Sequence, residues 1–230
     1  MKTPCCALLF VLFTLVSSAQ KSVYPISAIK DSLKENANAV VRLDQMDIAI
    51  ASQRSMNIKT QRVVSVFNEK GLSDINAYQH YDKTTSIKSI EAIVYDAFGT
   101  EIKKIKRKDF RDQSAVGGST LFSDNRVVYL DYTPVSYPFT IAYTSETETS
   151  NTAFIPQWYF LGGYYVSIEK CVLNVSFPNN LGFKKKEFCF SGFDIKKTAD
   201  TDTKLSYEAA SILLIKQKIL VRLIAIFIQE

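Results

Sequence analysis

The stretch SIEAIVYDAFGTEIKKIKRKD, from Ser89 to Asp109, decides the fold class. Two runs rich in β-branched and aromatic residues flank Asp96–Gly99, and such runs are typical of β-strands. A type I turn with its glycine in the left-handed conformation closes a hairpin of this kind. The stretch therefore predicts two neighbouring antiparallel strands that are joined at Gly99.

Comparable strand-like runs recur at short spacing on both sides of this hairpin, within residues 39–71, 121–149 and 151–195. Residues Ser27–Asn36 predict one short helix, and no alternation of strands with helices follows it. This pattern predicts an all-β fold, namely an antiparallel β-sandwich with one short N-terminal helix and an apolar C-terminal tail.

The composition is that of a globular protein rather than a disordered one. Of the 230 residues, 47% are hydrophobic and 22% are charged, and the 15 Phe and 12 Tyr favour strands. The chain is only mildly basic, with a formal charge of +5, so nucleic acid is not expected as a partner.

The N-terminus has the features of a secretory signal peptide. Lys2 is followed by the apolar run Cys5–Val16 and by the small residues Ser17–Ala19 before a cleavage point. The apolar run is shorter than the roughly 20 residues that a membrane-spanning helix needs. We expect export to the periplasm, the cell surface or the extracellular space, with Gln20 as the first mature residue.

The sequence predicts three parts: a signal peptide over residues 1–19, a β-sandwich domain over 20–205, and an exit segment or tail over 206–230. The boundary follows from KKTADTDTK (Lys196–Lys204), a polar run that is predicted to be unstructured.

The tail SILLIKQKILVRLIAIFIQE, from Ser211 to Glu230, is strongly apolar. Lys216, Lys218 and Arg222 interrupt it, and a Lys or Arg at the centre of a membrane span costs about 2.5–3.5 kcal/mol. No stable membrane span is therefore expected. Of the alternatives, a truncated or frame-shifted gene product is favoured over a core or docking helix, and a membrane anchor is the least favoured.

Six short motifs are informative when they are taken together. They are YDK (Tyr81–Lys83), YDAFGTEIKK (Tyr95–Lys104), KDFRD (Lys108–Asp112), LFSDNRVVYLDY (Leu121–Tyr132), YPFTIAY (Tyr137–Tyr143) and SNTAFIP (Ser150–Pro156). Their order and spacing resemble a bacterial secreted domain of unknown function, over about Tyr24 to Tyr207. In that family a β-sandwich module precedes a transglutaminase-like domain with a Cys-His-Asp triad. The resemblance implies an exported all-β module, a truncated relative of such multidomain proteins, and it carries over no catalytic residues.

The residue inventory does not predict an active site. Nucleophilic catalysis needs a thiolate with a base within hydrogen-bond reach, and signal cleavage leaves only His80, Cys171 and Cys189 for these roles. One His and two distant Cys do not predict a zinc site. The acidic residues of KDFRDQS and FSDNR are expected to cap loops rather than to bind calcium. We predict no enzyme activity, no cofactor and no metal.

Two stretches are candidates for binding. The basic run KKIKRKDFRD (Lys103–Asp112) fits a solvated strand edge, with an anionic envelope polymer as the alternative ligand. The run QWYFLGGYY fits core or interface packing, with sugar or peptide binding as the alternative. Its candidate surface residues are Trp158, Tyr159, Tyr164 and Tyr165.

The sequence thus predicts an exported, non-catalytic interaction or scaffolding module whose partner is an unknown protein or an envelope glycan. A glycan- or peptide-binding module of the cell envelope is the alternative.

A disulfide between Cys171 and Cys189 is also a candidate. PNNLG, between Phe177 and Phe183, predicts a hairpin loop, and counting outwards from it places the two cysteines opposite each other. A one-residue slip would leave two free buried thiols instead. Both outcomes stay open, and export favours the disulfide.

Overall fold

The computed structural model describes residues 23–115, 124–181, 184–188 and 190–216. Most of these residues lie in strands, and one α-helix, α1 (Asp31–Lys34), accompanies short 3-10 turns. The predicted all-β class is confirmed. Within these ranges, no helix has the length and apolar character that would carry it across a bilayer.

The strands of the described residues are numbered in chain order. They are β1 (Ala39–Ser52), β2 (Ser55–Val66), β3 (Tyr78–Tyr81), β4 (Thr85–Tyr95), β5 (Glu101–Lys106), β6 (Arg111–Ser114), β7 (Arg126–Tyr129), β8 (Phe139–Thr149), β9 (Val166–Ser176), β10 (Ile195–Asp200) and β11 (Lys204–Ile212).

The described part of the chain forms two sheets. The large sheet has eight strands in the order β10-β11-β9-β1-β2-β8-β4-β5, and the small sheet has three in the order β3-β7-β6. Among the named strands of the described residues, all pairs are antiparallel except β1 with β9, which run parallel. The predicted antiparallel architecture therefore holds with one parallel pair at its centre.

The hairpin predicted at Asp96–Gly99 joins β4 to β5. The carboxylate of Asp96 accepts hydrogen bonds from the backbone N–H groups of Phe98 and Thr100, both at 2.9 Å. Gly99 has φ of +83°, which a glycine adopts without steric cost. The turn forms as predicted because all of its determinants are local.

The hairpin predicted at PNNLG does not form. The neighbours of β9 in the large sheet are β1 and β11, so Cys171 lies opposite Asp44 on one side and Ala209 on the other. Residues 184–188 are not in a strand. The loop prediction is wrong because β9 pairs with strands that are distant along the chain.

The polar run Lys196–Lys204 is also more ordered than predicted. It contains most of β10 and the turn into β11, and β10 pairs with β11 at one edge of the large sheet. The last described strand, which ends at Ile212, therefore crosses the boundary predicted at residue 205. Residues 217–230, with most of the apolar tail, lie outside the described residues.

One face of the large sheet, called the covered face, packs against a second layer. It carries Ala39, Val41, Val64 and Ala92, each at most 1% exposed. The small sheet covers one half of it, where the ring of Phe110 lies 6.4 Å from that of Tyr143. The arrangement is sandwich-like, with a small sheet and irregular segments as its second layer.

The other half of the covered face lies under aromatic residues from the segments that precede β9 and β10. Trp158, Phe160 and Phe190 pack there, and the ring of Tyr207 on β11 stacks on Trp158 with centroids 5.8 Å apart. These side chains join the two larger hydrophobic clusters of the molecule.

The N-terminal segment covers one end of the opposite face. The predicted helix forms as a 3-10 turn at Ile26–Ala28 and the short helix α1. Leu33 on α1 is fully buried against Ile29, Ala37 and Val40. This small cluster fixes residues 26–37 to the sheet.

A close backbone approach ties the turn after β2 to the start of β1. A Cβ atom on Gly71 would lie 2.3 Å from the carbonyl oxygen of Asn38. That oxygen accepts a hydrogen bond of 2.9 Å from the N–H of Phe67. Only glycine fits at position 71 without moving the backbone.

Candidate interaction surfaces

The face of the large sheet opposite the second layer is polar beyond the N-terminal segment, and we call this part the open face. The strand register aligns Asn174, Asp47, Lys59 and Glu146 in one row across β9, β1, β2 and β8. Side chains that are directly opposite on neighbouring strands share a face and contact each other. The row therefore places one amide and three charged groups across four strands.

A depression of about 550 Å³ lies on the open face, and its lining includes this row. The Asn174 amide donates to Asp47 over 2.7 Å, and the Asn57 amide donates to Glu146 over 2.8 Å. Lys59 lies 3.7 Å from Glu146 with its side chain 61% exposed. Two carboxylates, two amides and an exposed ammonium group thus converge on one shallow, solvent-open site.

The basic run Lys103–Asp112 contains the edge strand of the large sheet. In β5 only Ile105 is buried, and the other residues are exposed. Lys104 pairs with Glu91 at 3.2 Å, and Arg111 pairs with Asp131 at 2.5 Å. The ammonium group of Lys103 lies 5.7 Å from the ring centre of Tyr132. The run therefore forms an exposed basic edge of the sheet. Its aromatic neighbour, Tyr132, lines a nearby cavity.

That cavity, called the tyrosine cavity, has a volume of about 300 Å³ and lies between the 3-10 turn Glu69–Asp74 and the small sheet. Tyr78 on β3 lies directly opposite Tyr129 on β7, and both line it. Val128, next to Tyr129, is buried in the core, so alternation directs Tyr129 outwards. Tyr132, Asn76 and Asp131 also belong to the polar and aromatic lining.

The four aromatic residues predicted as a candidate binding surface differ in their exposure, and binding there stays a prediction. Trp158 is half-buried and packs against the core, and Phe160, Phe190 and Tyr207 lie against its ring. Tyr159 is 71% exposed and Tyr164 is 39% exposed. Tyr165 has φ of +61°, and its carbonyl accepts from Asn38 over 2.8 Å. The structure separates a half-buried tryptophan from two exposed tyrosines.

Cys171 is buried on the covered face, with 1% of its surface exposed. Its thiol donates to the carbonyl oxygen of Tyr159 over 3.7 Å. Burial, with a further contribution from the nearby carboxylate of Asp44, raises the pKa of the Cys171 thiol to about 12. Cys189 lies outside the described residues, so the disulfide stays a prediction. The hairpin register that motivated it does not form, because β9 pairs with β1 and β11.

The remaining candidates have structural contacts. His80 lies on β3 with its ring 5.5 Å from that of Tyr78. Asp109 and Asp124 accept from the backbone N–H groups of Lys106 and Lys83, over 3.0 and 3.3 Å, as expected of loop caps. Among the described residues, no three His, Cys, Asp or Glu side chains lie close enough together to hold a metal ion.

Sequence reasoning missed the tyrosine cavity. YQHY (Tyr78–Tyr81) begins with one of the two tyrosines, and RVVY (Arg126–Tyr129) ends on the opposing one. Each run alone predicts a short strand, and nothing in either one predicts their pairing. The two tyrosines become recognisable as a pair only once β3 lies beside β7.

A family model for DUF3857, described as a domain of unknown function with a solved structure, matches residues 52–213. No curated protein matches the chain.

Among solved structures, a proposed protease of Parabacteroides distasonis is similar with a TM-score of 0.57 at 8% identity, over 78% of this chain and 37% of that one. An M1 zinc metallopeptidase of Deinococcus radiodurans covers 78% of this chain and 40% of its own, at 6% identity and a TM-score of 0.29, which is too low to indicate a shared fold. The chain spans well under half the length of either protein, and the first likeness indicates the fold alone.

Proposed function

Since the chain belongs to the DUF3857 family of unknown function, we propose that it is an exported, non-catalytic interaction module that binds a partner protein domain at the open face. The observation that carries this proposal is the depression at Asp47, Lys59, Glu146 and Asn174 on that face. Its mixed charges suit a polar interface, in which charge complementarity selects the partner and sets the register of docking.

The partner that we favour is a transglutaminase-like domain, because the sequence motifs resemble those of modules that precede such domains. The likeness to part of a longer, proposed protease is consistent with a module that accompanies a catalytic region. The buried thiol of Cys171, with its pKa raised to about 12, supports a role outside catalysis, since a nucleophilic cysteine must ionise near neutral pH.

Binding to such a domain is testable with the purified full chain. We expect a complex with a transglutaminase-like domain excised from a longer DUF3857 polypeptide, measured by isothermal titration calorimetry. Lys59→Glu should weaken it at least about tenfold, or about 1.4 kcal/mol, because it places a third carboxylate in the depression. Lys83→Glu is the matched control, since its side chain is 86% exposed at the turn before β4.

Absence of a complex would refute the proposed partner. Equal weakening by the two variants would refute the proposed surface. The glycan- or peptide-binding alternative would have to use the exposed rings of Tyr159 and Tyr164, because the ring of Trp158 is packed against three other aromatic rings.

Export is a separate part of the proposal. N-terminal sequencing of the protein from the cell envelope should find Gln20 as the first residue. A protein that still begins at Met1 would contradict cleavage after Ala19.

A further inference from the structure

We propose that the tyrosine cavity binds an acidic oligosaccharide. This site is distinct from the open face, and the inference does not depend on the partner domain proposed above. It rests on the aromatic lining of the cavity, its polar groups and the basic residues at its rim.

The aromatic lining comes from paired strands. Tyr78 and Tyr129 are opposite residues on β3 and β7, and Tyr78 is 47% exposed although its backbone is fixed. The hydroxyl of Tyr143, from the large sheet, donates to the Tyr78 carbonyl over 3.0 Å. A tyrosine ring held in this way offers a flat apolar face with a polar tip, which suits the C–H face and the hydroxyl groups of a pyranose.

Polar groups surround these rings. Asn76 adopts φ of +50°, an uncommon conformation that asparagine tolerates, and it lines the cavity beside Asp131. The Tyr129 hydroxyl donates to Gln113 over 3.4 Å, a long and weak contact. A few placed donors and acceptors around an apolar base are typical of small-ligand sites, and about 300 Å³ is at the lower limit of their size range.

The charge at the rim selects an acidic ligand. Lys103 lies against Tyr132, which lines the cavity, and Arg111 lies against Asp131, which also lines it. Both cations belong to the run Lys103–Asp112, which contains six basic and two acidic residues. A sugar chain that leaves the cavity along this edge would place its carboxylates near the exposed basic side chains of Lys103, Lys106 and Arg107.

The wall of the cavity is held by the core. Arg62 donates to the carbonyl oxygens of Asp74 and Ile75, over 3.0 and 3.2 Å, and Ile75 lines the cavity. The site is therefore built on fixed backbone rather than on a free loop, which lowers the entropy lost when a ligand binds.

The test uses the full chain with two probes, a galacturonic acid hexamer and its methyl ester, which keeps the rings and removes the charge. Calorimetry at about 50 mM salt should detect binding of the acid hexamer. The methyl ester should bind at least about tenfold more weakly. Tyr78→Ala and Tyr129→Ala should each weaken binding of the acid at least about tenfold. Tyr78→Phe, which keeps the ring, should bind within about threefold of wild type.

Lys103→Gln should weaken binding of the acid. The affinity of this variant should also fall less than that of wild type when the salt is raised from about 50 to 200 mM. Tyr159→Ala removes an equally large exposed ring elsewhere and should change nothing. No binding of the acid, unchanged binding by both tyrosine-to-alanine variants, or equal binding of the ester would each overturn the proposal. Circular dichroism of each variant confirms that it is folded.

Discussion

Arg62 on β2 and Asp44 on β1 lie directly opposite each other and form an ion pair on the covered face of the large sheet. The side chain of Arg62 is only 14% exposed. Desolvation raises the pKa of Asp44 even though the neighbouring guanidinium opposes this shift. Because Arg62 also donates to the carbonyls of Asp74 and Ile75, it joins the sheet to the segment that covers it.

Arg62→Met should lower the free energy of unfolding by about 3 kcal/mol, because it leaves Asp44 charged and two carbonyl groups without a donor. Urea unfolding measures this change. Lys59→Met, at an exposed ion pair on the other face, should stay within about 0.5 kcal/mol of wild type. The double variant with Asp44→Leu should regain part of the loss, and a single-variant loss below about 1 kcal/mol would contradict the role of the pair.

Cys171 predicts a specific alkaline loss of stability. An unfolded cysteine ionises near pH 8.5, whereas the folded thiol has its pKa raised to about 12, so the unfolded state loses its proton first. Stability is therefore unaffected by this group below about pH 8.5 and falls as the pH rises towards 12. Between pH 8 and 10, under reducing conditions, wild type should lose about 2 kcal/mol more than Cys171→Ala. Equal losses in urea unfolding would mean that the thiol titrates normally.

Gly71→Ala should destabilise the fold by about 1–3 kcal/mol, because the new Cβ would lie 2.3 Å from the Asn38 carbonyl oxygen and the backbone must shift. Thermal unfolding detects the change. Ser73→Ala, at an exposed position in the same 3-10 turn, is the matched control and should stay within about 0.5 kcal/mol. A neutral Gly71 variant would show that the two segments can separate at little cost.

Leu33→Ala should cost about 2–5 kcal/mol, since the side chain is fully buried between the N-terminal segment and the sheet. Leu213→Ala, at a leucine that is 57% exposed, should cost less than about 0.5 kcal/mol. Chemical denaturation of the two variants provides the comparison. Similar losses would mean that the N-terminal segment contributes no core of its own.

Local features were predictable from the sequence, and distant pairings were not. The turn at Asp96–Gly99 contains its own capping carboxylate and its own glycine, so a short window suffices. PNNLG offers similar turn residues, yet β9 pairs with β1 and β11 instead. Turn chemistry predicts that the chain bends, whereas the choice of a strand's neighbours depends on the packing of the whole sheet.

The candidate sites follow the same division. A run of aromatic residues in a sequence is compatible with burial and with binding. The packing of Trp158 against Phe160 and Phe190 depends on tertiary structure, so the sequence alone did not predict it. The strand β10 is polar because it lies at the sheet edge, and its composition resembles that of a loop. The tyrosine cavity needs two paired strands and a 3-10 turn that no single motif specifies.

The parallel pairing of β1 with β9 has a consequence for how the chain is made. Asp47 and Asn174 are hydrogen-bonded across this pair and lie 127 residues apart in the chain. One edge of β1 therefore has no partner until β9 has been synthesised. During that time the β1–β2 hairpin has an unprotected edge that can pair with another nascent chain. The parallel pairing can thus close only after β9 has been made, and holding the chain unfolded until then would protect the open edge of β1 from aggregation.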